Sequence, residues 1–375
     1  MILDKMQPSL RDAASVVPMA DWLAKRHAAA PELLVIHRDW YRHEPTESAG
    51  SLMAASLFRS LRDRFDWRGD VGKRALLAAK YMARSLLMFR QHTKHLAFIE
   101  SQPALQAFRR RDPRMLERHL HRYINLSWGR QQRLRAIQQH YRHLLAVMPV
   151  PLFRAIYAEG GAPLGLLELK DGSRLILSLR PPIFLGCEGE LCIQLADELG
   201  NPLYRIVVTV IDEHPTLAIG CIQGPVGATA KEAVRELTRH MHGMRPKCLM
   251  LALVQELARH WGMTRLLAVG NAVHPLCNAR RRFVADYDAF WQEQQGRAVD
   301  GGWYELPVQP ERKTVADVPS QHRSAFRKRE ALRMDAERML LEALGTPPEL
   351  HRLRVQQPEV SGSRHLFQGV CVEAS

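Results

Sequence analysis

The chain has 375 residues, of which 46% are hydrophobic and 25% charged, and it carries a formal net charge of +14. This composition excludes wholesale disorder, and the length admits two domains with a buried core that needs no disulfide or metal staple. The charge is localised: residues 51–150 hold 20 Lys and Arg against 6 Asp and Glu, an excess equal to the net charge of the whole chain.

A concentrated positive field favours polyanions: an acidic carrier protein, tRNA or other RNA, or an anionic membrane surface. A solvated Arg-rich helical surface without any partner has the same composition, because charge sign alone names no ligand. The six cysteines (Cys187, Cys192, Cys221, Cys248, Cys277 and Cys371) form no CxxC pair and no zinc spacing, so no metal is expected. Their usage suits a reducing compartment. Asp4, Lys5, Arg11 and Asp12 stand where a secretory signal needs an apolar core. The apolar stretch Ala75–Phe89 is interrupted by Lys80 and Arg84 and is too short to span a bilayer. The expectation is a cytoplasmic protein with no transmembrane segment. Oligomeric state has no signature in the sequence.

In chain order, residues 1–50 are punctuated by Pro8, Pro18, Pro31 and Pro45 and read as an N-terminal arm. Residues 51–150 read as a basic helical region. Leu52, Leu57, Phe58, Leu61 and Phe65 recur at helical spacing, as do Leu76, Leu77, Tyr81, Leu86, Leu87 and Phe89. A third helical stretch is predicted over Asp112–Ala146, with Leu120, Tyr123, Ile124, Trp128, Leu134, Ile137, Tyr141 and Leu144 as its core face. After Pro149 and Pro151 the period shifts towards two. Gly165–Lys170, Arg174–Leu179, Glu190–Leu195, Leu203–Ile211 and Leu217–Ile222 read as strands, with links too short for parallel crossovers, hence an antiparallel meander. Helices over Thr229–Met241 and Lys247–Trp261 lead to a strand at Thr264–Gly270, which implies one parallel pairing. This α/β domain occupies 151–318, a charged helix follows over 319–345, and 346–375 reads as a loosely ordered tail. The fold class is α+β, with a mixed sheet and flanking helices.

Chemistry concentrates between Ala218 and Asn278. One strand ends in Gln223-Gly224-Pro225. The loop Gly243-Met244-Arg245-Pro246-Lys247 opens a helix whose free N–H groups, dipole and two cations suit an anion; simple helix punctuation by Gly243 and Pro246 is the plainer reading. After the strand Leu266–Val269 come Asn271, His274 and Cys277, at a strand's carboxyl end where α/β sites gather. His274 is a candidate general base and Cys277 a candidate nucleophile, although each also has an ordinary structural reading. Asp286 and Asp288 read as an acidic helix start. Glu188 and Glu190 flank Gly189, a residue that lets backbone approach a ligand closely; either is a candidate catalytic carboxylate or a solvated turn acid.

The segments IGCIQGP (219–225), LTRHMHGMRPKCLMLALVQELA (237–258), LLAVGNAVH (266–274), DYDAFW (286–291), GWYELP (302–307) and VPSQHRSAFRKR (318–329) closely resemble the VirK/YbjX family. The correspondence runs from about Gln138 to Leu344. It implies a bacterial protein associated with virulence, surface-protein display and envelope adaptation to antimicrobial peptides, associations that specify no reaction. The order of elements also resembles the core of the GNAT acyltransferases, in which the loop before the helix holds the donor's pyrophosphate. By position that loop is Gly243–Cys248, without the family's glycine-rich pattern, with Pro246 in place of one N–H, and with the extra helix Thr229–Met241 before it.

That resemblance implies acyl transfer from an acyl-CoA or acyl carrier protein donor to an amine or hydroxyl. Gln223, Gly224, Gly243, Arg245, Lys247 and Asn271 would form the donor side, and His274, Glu188, Glu190 or Cys277 the reacting side. The alternative is a non-catalytic envelope or virulence accessory protein that binds RNA, an anionic membrane or an acidic protein.

Overall fold

The computed structural model describes residues 55–183, 186–211, 215–277 and 286–346. The predicted arm at 1–50 and the tail from 347 lie outside them. After a short helical segment at 55–59 come α1 (Val71–Leu86), α2 (Phe89–Ser101), α3 (Pro103–Arg111), α4 (Arg130–Val147) and α5 (Val150–Tyr157). Then follow β1 (Ala162–Glu168), β2 (Arg174–Arg180), β3 (Leu191–Ala196), β4 (Pro202–Ile211) and β5 (Thr216–Gln223). The chain continues through α6 (Ala230–His240), α7 (Pro246–His260), β6 (Arg265–Val269), α8 (Tyr287–Glu293), β7 (Arg297–Val299), β8 (Trp303–Leu306) and α9 (Arg323–Leu344).

The eight strands form one mixed sheet in the order β1-β2-β3-β4-β5-β6-β8-β7. The meander is antiparallel as its links require. Asp171 turns β1 into β2 by accepting from the Ser173 hydroxyl at 2.7 Å, and Asp197 turns β3 into β4 by accepting from the Asn201 amide at 2.8 Å. β5 and β6 are parallel, joined through α6 and α7, and the short hairpin β7–β8 returns so that β8 lies against β6. In β3 and in most of β4 and β5, successive residues are buried whichever way they point, so both faces of this part of the sheet are covered. α7 is buried nearly all round, as a helix inside a core must be.

Two sequence readings of the helical half need correction. Asp112–Ala146 is not one helix. It forms 3-10 turns at Pro113–Leu116 and Arg118–Leu120, then an irregular strap to Gly129, and only then α4. Asp112 caps the first turn through the Arg114 amide, and Pro113 has no N–H for a preceding helix to use. The apolar residues of α1 do not all face inward either. Tyr81 and Ser85 are buried, whereas Leu76, Leu86 and Leu87 are exposed, as are Phe58 and Phe65 ahead of the helix. Helical spacing reports a stripe but not the direction it faces.

A single apolar core runs from Leu57 to Leu344, joining the helical half to the sheet. A buried ion pair reinforces the join. Arg118, in the second 3-10 turn, contacts Glu190 at 2.5 Å and Asp112 at 2.5 Å. Tyr123 donates to Glu190 at 3.0 Å, Tyr141 donates to the same carboxylate, and Tyr157 donates to the Glu190 carbonyl at 3.0 Å. Burial works against the Arg118 charge, yet Glu190 and Asp112 outweigh it and hold the guanidinium pKa well above its usual value. Nearby, Tyr81 bonds His92 at 2.8 Å, and His92 bonds His119 at 3.2 Å. Burial lowers His92 to about 3 and His95 to about 4. Among the described residues no helix is long and apolar enough to cross a membrane.

Two outcomes follow from this packing. Arg118→Ala strands the Glu190 carboxylate without its cation and should cost about 3–5 kcal/mol in denaturant unfolding. His92 and His95 are neutral when folded but bind protons below about pH 6.5 when unfolded. Stability should therefore be full above pH 6.5 and fall towards pH 3, by up to roughly 1.4 kcal/mol per pH unit for each histidine. Denaturant titrations at stepped pH will check the sign and the window.

Candidate functional site

A cleft of about 850 Å³ opens beside the carboxyl end of β5. Its origin lies in the strand pairing. β5 and β6 pair only from Thr216–Arg265 to Ile219–Ala268, after which β5 continues to Gln223 without β6 beside it. Backbone freed in this way has to find other partners. The Tyr287 hydroxyl supplies them, donating to the Ile222 carbonyl at 3.0 Å and accepting from the Ile222 amide at 3.2 Å. Trp291, one turn further along α8, donates to the Val269 carbonyl at 2.9 Å. An aromatic pair from α8 therefore bonds the end of β6 and the stretch of β5 that runs on beyond it.

Glu188 reaches the cleft from the segment before β3. Gly189, with φ +137°, separates it from Glu190, and Gly220 lies so close that a Cβ there would stand 1.8 Å from the Glu188 carbonyl oxygen. Gly220 is also the extra residue of a bulge between β4 and β5, where Val207 pairs with Cys221 and Val208 with Ile219. The Glu188 carboxylate is gripped by the Gln223 amide at 3.0 and 2.9 Å. His274 Nε2 lies 3.4 Å from the same carboxylate. His274 Nδ1 accepts from the Leu276 amide at 3.2 Å, which assigns the remaining ring proton to Nε2, facing Glu188. His274 is fully buried and does not line the cleft, whereas Glu188 does.

The cleft brings together Glu188, Gln223, Gly224, Arg245 and Lys247 from the expected set. Arg245 is not a free cation: Glu293 on α8 engages its guanidinium, with one contact at 3.0 Å, and Cys248 accepts from it at 3.4 Å. Lys247 stands 5.3 Å over the Phe290 ring, and burial together with the neighbouring Arg245 lowers its pKa. Tyr204, Val226, Val234 and Leu276 add apolar wall.

The other candidates take different places. Glu190 faces Arg118 in the core. Gly243, with φ +84°, closes α6 by bonding the Thr238 carbonyl at 2.8 Å, and its nearest side chain is Arg329 of α9. Asn271 works within the fold, bonding Asp286 at 3.0 Å and accepting from the Tyr287 amide at 3.0 Å, which sets the start of α8. Cys277 donates its amide to the His274 carbonyl at 2.9 Å and does not line the cleft. Asp286 caps α8 as the acidic helix start predicted, and Asp288 accepts from the Asn271 amide at 2.8 Å. Cys221 is buried beside Glu188; burial and that carboxylate push its thiol pKa well above the usual value. Among the described residues no three metal-ligating side chains converge.

Sequence reasoning missed Tyr287, Gly220 and the strap at residues 123–127. The strap binds both halves of the site: the Ile124 amide donates to the Cys187 carbonyl and the Leu126 amide to the Val273 carbonyl, each at 2.7 Å. Asn125 adds a bond to the Gly301 carbonyl at 2.8 Å. Ile124 adopts φ +39°, a left-handed conformation that a β-branched side chain rarely accepts. Tyr287 and Gly220 both sit in segments that carry the family resemblance, DYDAFW and IGCIQGP, and that was their available signal.

The fold and site define a mixed-sheet protein with an apolar, cation-rimmed cleft over a buried Glu–Gln–His cluster. The chain belongs to the VirK/YbjX family: residues 71–341 match the family described as a protein of unknown function, DUF535. It is 31% identical to "Uncharacterized protein YbjX" of Escherichia coli K12, over 76% of this chain and 88% of that protein. It is 27% identical to an uncharacterized protein of Haemophilus influenzae, over 67% of this chain and 84% of the relative. It is also 27% identical to "Membrane protein LapB" of Mannheimia haemolytica, over 51% and 81%. No solved structure matches.

Tyr287→Phe removes the hydroxyl that satisfies both backbone groups of Ile222. It should lower stability by about 1–3 kcal/mol. The Ile222 amide should also lose its protection from hydrogen exchange, which NMR can follow directly.

Proposed function

We propose that the cleft is an acyl-transfer site, taking an acyl group from a CoA or carrier-protein thioester to an amine or hydroxyl. The observation that carries this reading is the Glu188 carboxylate, hydrogen-bonded by Gln223, with His274 Nε2 3.4 Å away, at the wall of an apolar cleft beside Lys247. The run of β5 past the end of β6, next to the start of α7 and within an order of elements that resembles the GNAT core, supports it.

In this reading the acceptor's amine or hydroxyl attacks the thioester carbonyl and gives its proton to Glu188, the C–S bond breaks, and the proton passes from Glu188 to the departing thiolate. His274 Nε2, 3.4 Å from the carboxylate, sets its surroundings. Lys247 supplies the charge for the donor's phosphates, and the apolar walls hold the acyl chain and keep water out. Arg245 contributes only by exchanging Glu293 for a phosphate, and Pro246 offers no N–H. A donor amide reaches the β5 backbone only by taking over the Tyr287 bonds. The five described cysteines are free, which fits a reducing compartment such as the cytoplasm.

The excess positive charge of residues 51–150 supports a second reading, in which the chain acts by binding a polyanion. A steep fall of RNA affinity with salt would mark that mode.

The acyl-transfer reading is tested by titrating the full chain with acyl-CoA and with acyl carrier protein. Saturable binding is expected, weakened roughly tenfold by Lys247→Ala through loss of one charge-assisted contact. Glu188→Gln should retain binding and lose transfer by about 10²-fold or more. Absence of saturable binding, or binding indifferent to both Lys247→Ala and Arg245→Ala, contradicts the assignment.

A further inference from the structure

The acyl-transfer reading makes no use of the outward face of α1. Ten large hydrophobic side chains are exposed among the described residues, and six of them lie between Phe58 and Leu87. Within α1 and its cap, Val71 is 84% exposed, Leu76 53%, Leu86 59% and Leu87 71%. Ala75, Ala79 and Ala83 are exposed as well. At 100° per residue these positions share one side of the helix, opposite the buried Tyr81 and Ser85. Lys73, Lys80 and Arg84 follow one edge of that stripe, seven and four residues apart, and Arg74 lies beyond its other edge. The helix carries no acidic residue, and none of its four cations forms an ion pair with a described carboxylate. Exposed leucines in a patch of this kind call for a covering surface.

We propose that α1 docks the protein on an anionic bilayer surface, lying in the plane of the headgroups with its Leu/Ala stripe turned into the acyl boundary. The arrangement has the features of an interfacial helix: a broad apolar face, a cationic margin and low overall hydrophobicity. Sixteen residues give a rod of about 24 Å, laid flat rather than inserted across. The charge complementarity is with lipid phosphates, to which juxtamembrane Lys and Arg are drawn. RNA would use the same cations but has no use for exposed leucines and alanines between them. A second copy of this chain would bring an equally cationic margin against the first.

The test is flotation of the full-length protein with vesicles of phosphatidylcholine alone and of phosphatidylcholine with phosphatidylglycerol, at low and high salt. Binding is expected to the phosphatidylglycerol vesicles, weakened by salt. It should drop at least about tenfold in Leu76→Ser/Leu87→Ser, because two exposed leucines leave the interface. Those side chains are solvent-facing, so circular dichroism should be unchanged; Lys73→Glu/Lys80→Glu gives a second variant that alters charge alone and should also release the protein. No binding to phosphatidylglycerol vesicles overturns the proposal. Binding that ignores the leucine substitutions overturns it in favour of a purely electrostatic polyanion site, such as one for RNA. A dimer in light scattering that the leucine substitutions convert to monomer, with no vesicle binding, assigns the stripe to self-association instead.

Discussion

A charged pair buried between Arg118 and Glu190 couples the helical half of the chain to the sheet, and the position of the candidate site follows from it. Taking both charges out of water costs several kcal/mol, and Asp112, Tyr123 and Tyr141 complete the shell that makes the pair tolerable. The pair ties the second 3-10 turn to the start of β3, and the strap leaves from that turn. That strap then bonds the segment carrying Glu188 on one side and the segment carrying His274 on the other.

The consequence for chemistry lies two residues away. Glu190 is spent on the core, whereas Glu188, on the other side of Gly189 with its φ of +137°, lines the cleft. Two buried glutamates in nearly the same stretch of chain therefore have different surroundings, one in the core beside Arg118 and one at the wall of the cleft. The close approach of Gly220 holds Glu188 near its partners: Gln223 grips its carboxylate, and His274 Nε2 stands 3.4 Å from it.

Much of the sheet was legible because its signals are local. Asp171-Gly172 and Gly200-Asn201 mark the hairpins, and the short apolar runs between such turns mark the strands. The parallel β5–β6 pair could be read from two helices placed between two apolar runs. The hairpin β7–β8 escaped because strands of three and four residues carry too little pattern. The strap at residues 123–127 was misread as helix, since Tyr123, Ile124 and Trp128 keep helical spacing while serving the core from an irregular backbone.

Of the site, the cationic loop before α7 and the carboxylate beside Gly189 were visible as residue types. What was not visible is long-range pairing. Nothing local says that Glu293 will engage Arg245 from 48 residues away, that Arg118 will claim Glu190 across 72, or that Tyr287 will satisfy the β5 backbone from 65. Chemistry that depends on which neighbour wins a charged group is decided by tertiary structure.

The central claim, that the strap and the buried pair hold the site as part of the main core, is tested most directly by native-state hydrogen exchange. The Ile124 and Leu126 amides should exchange with the same free energy as the β4 and β5 amides, through global unfolding alone. Exchange of those two amides through a separate opening of much lower free energy, with β4 and β5 still protected, would contradict it.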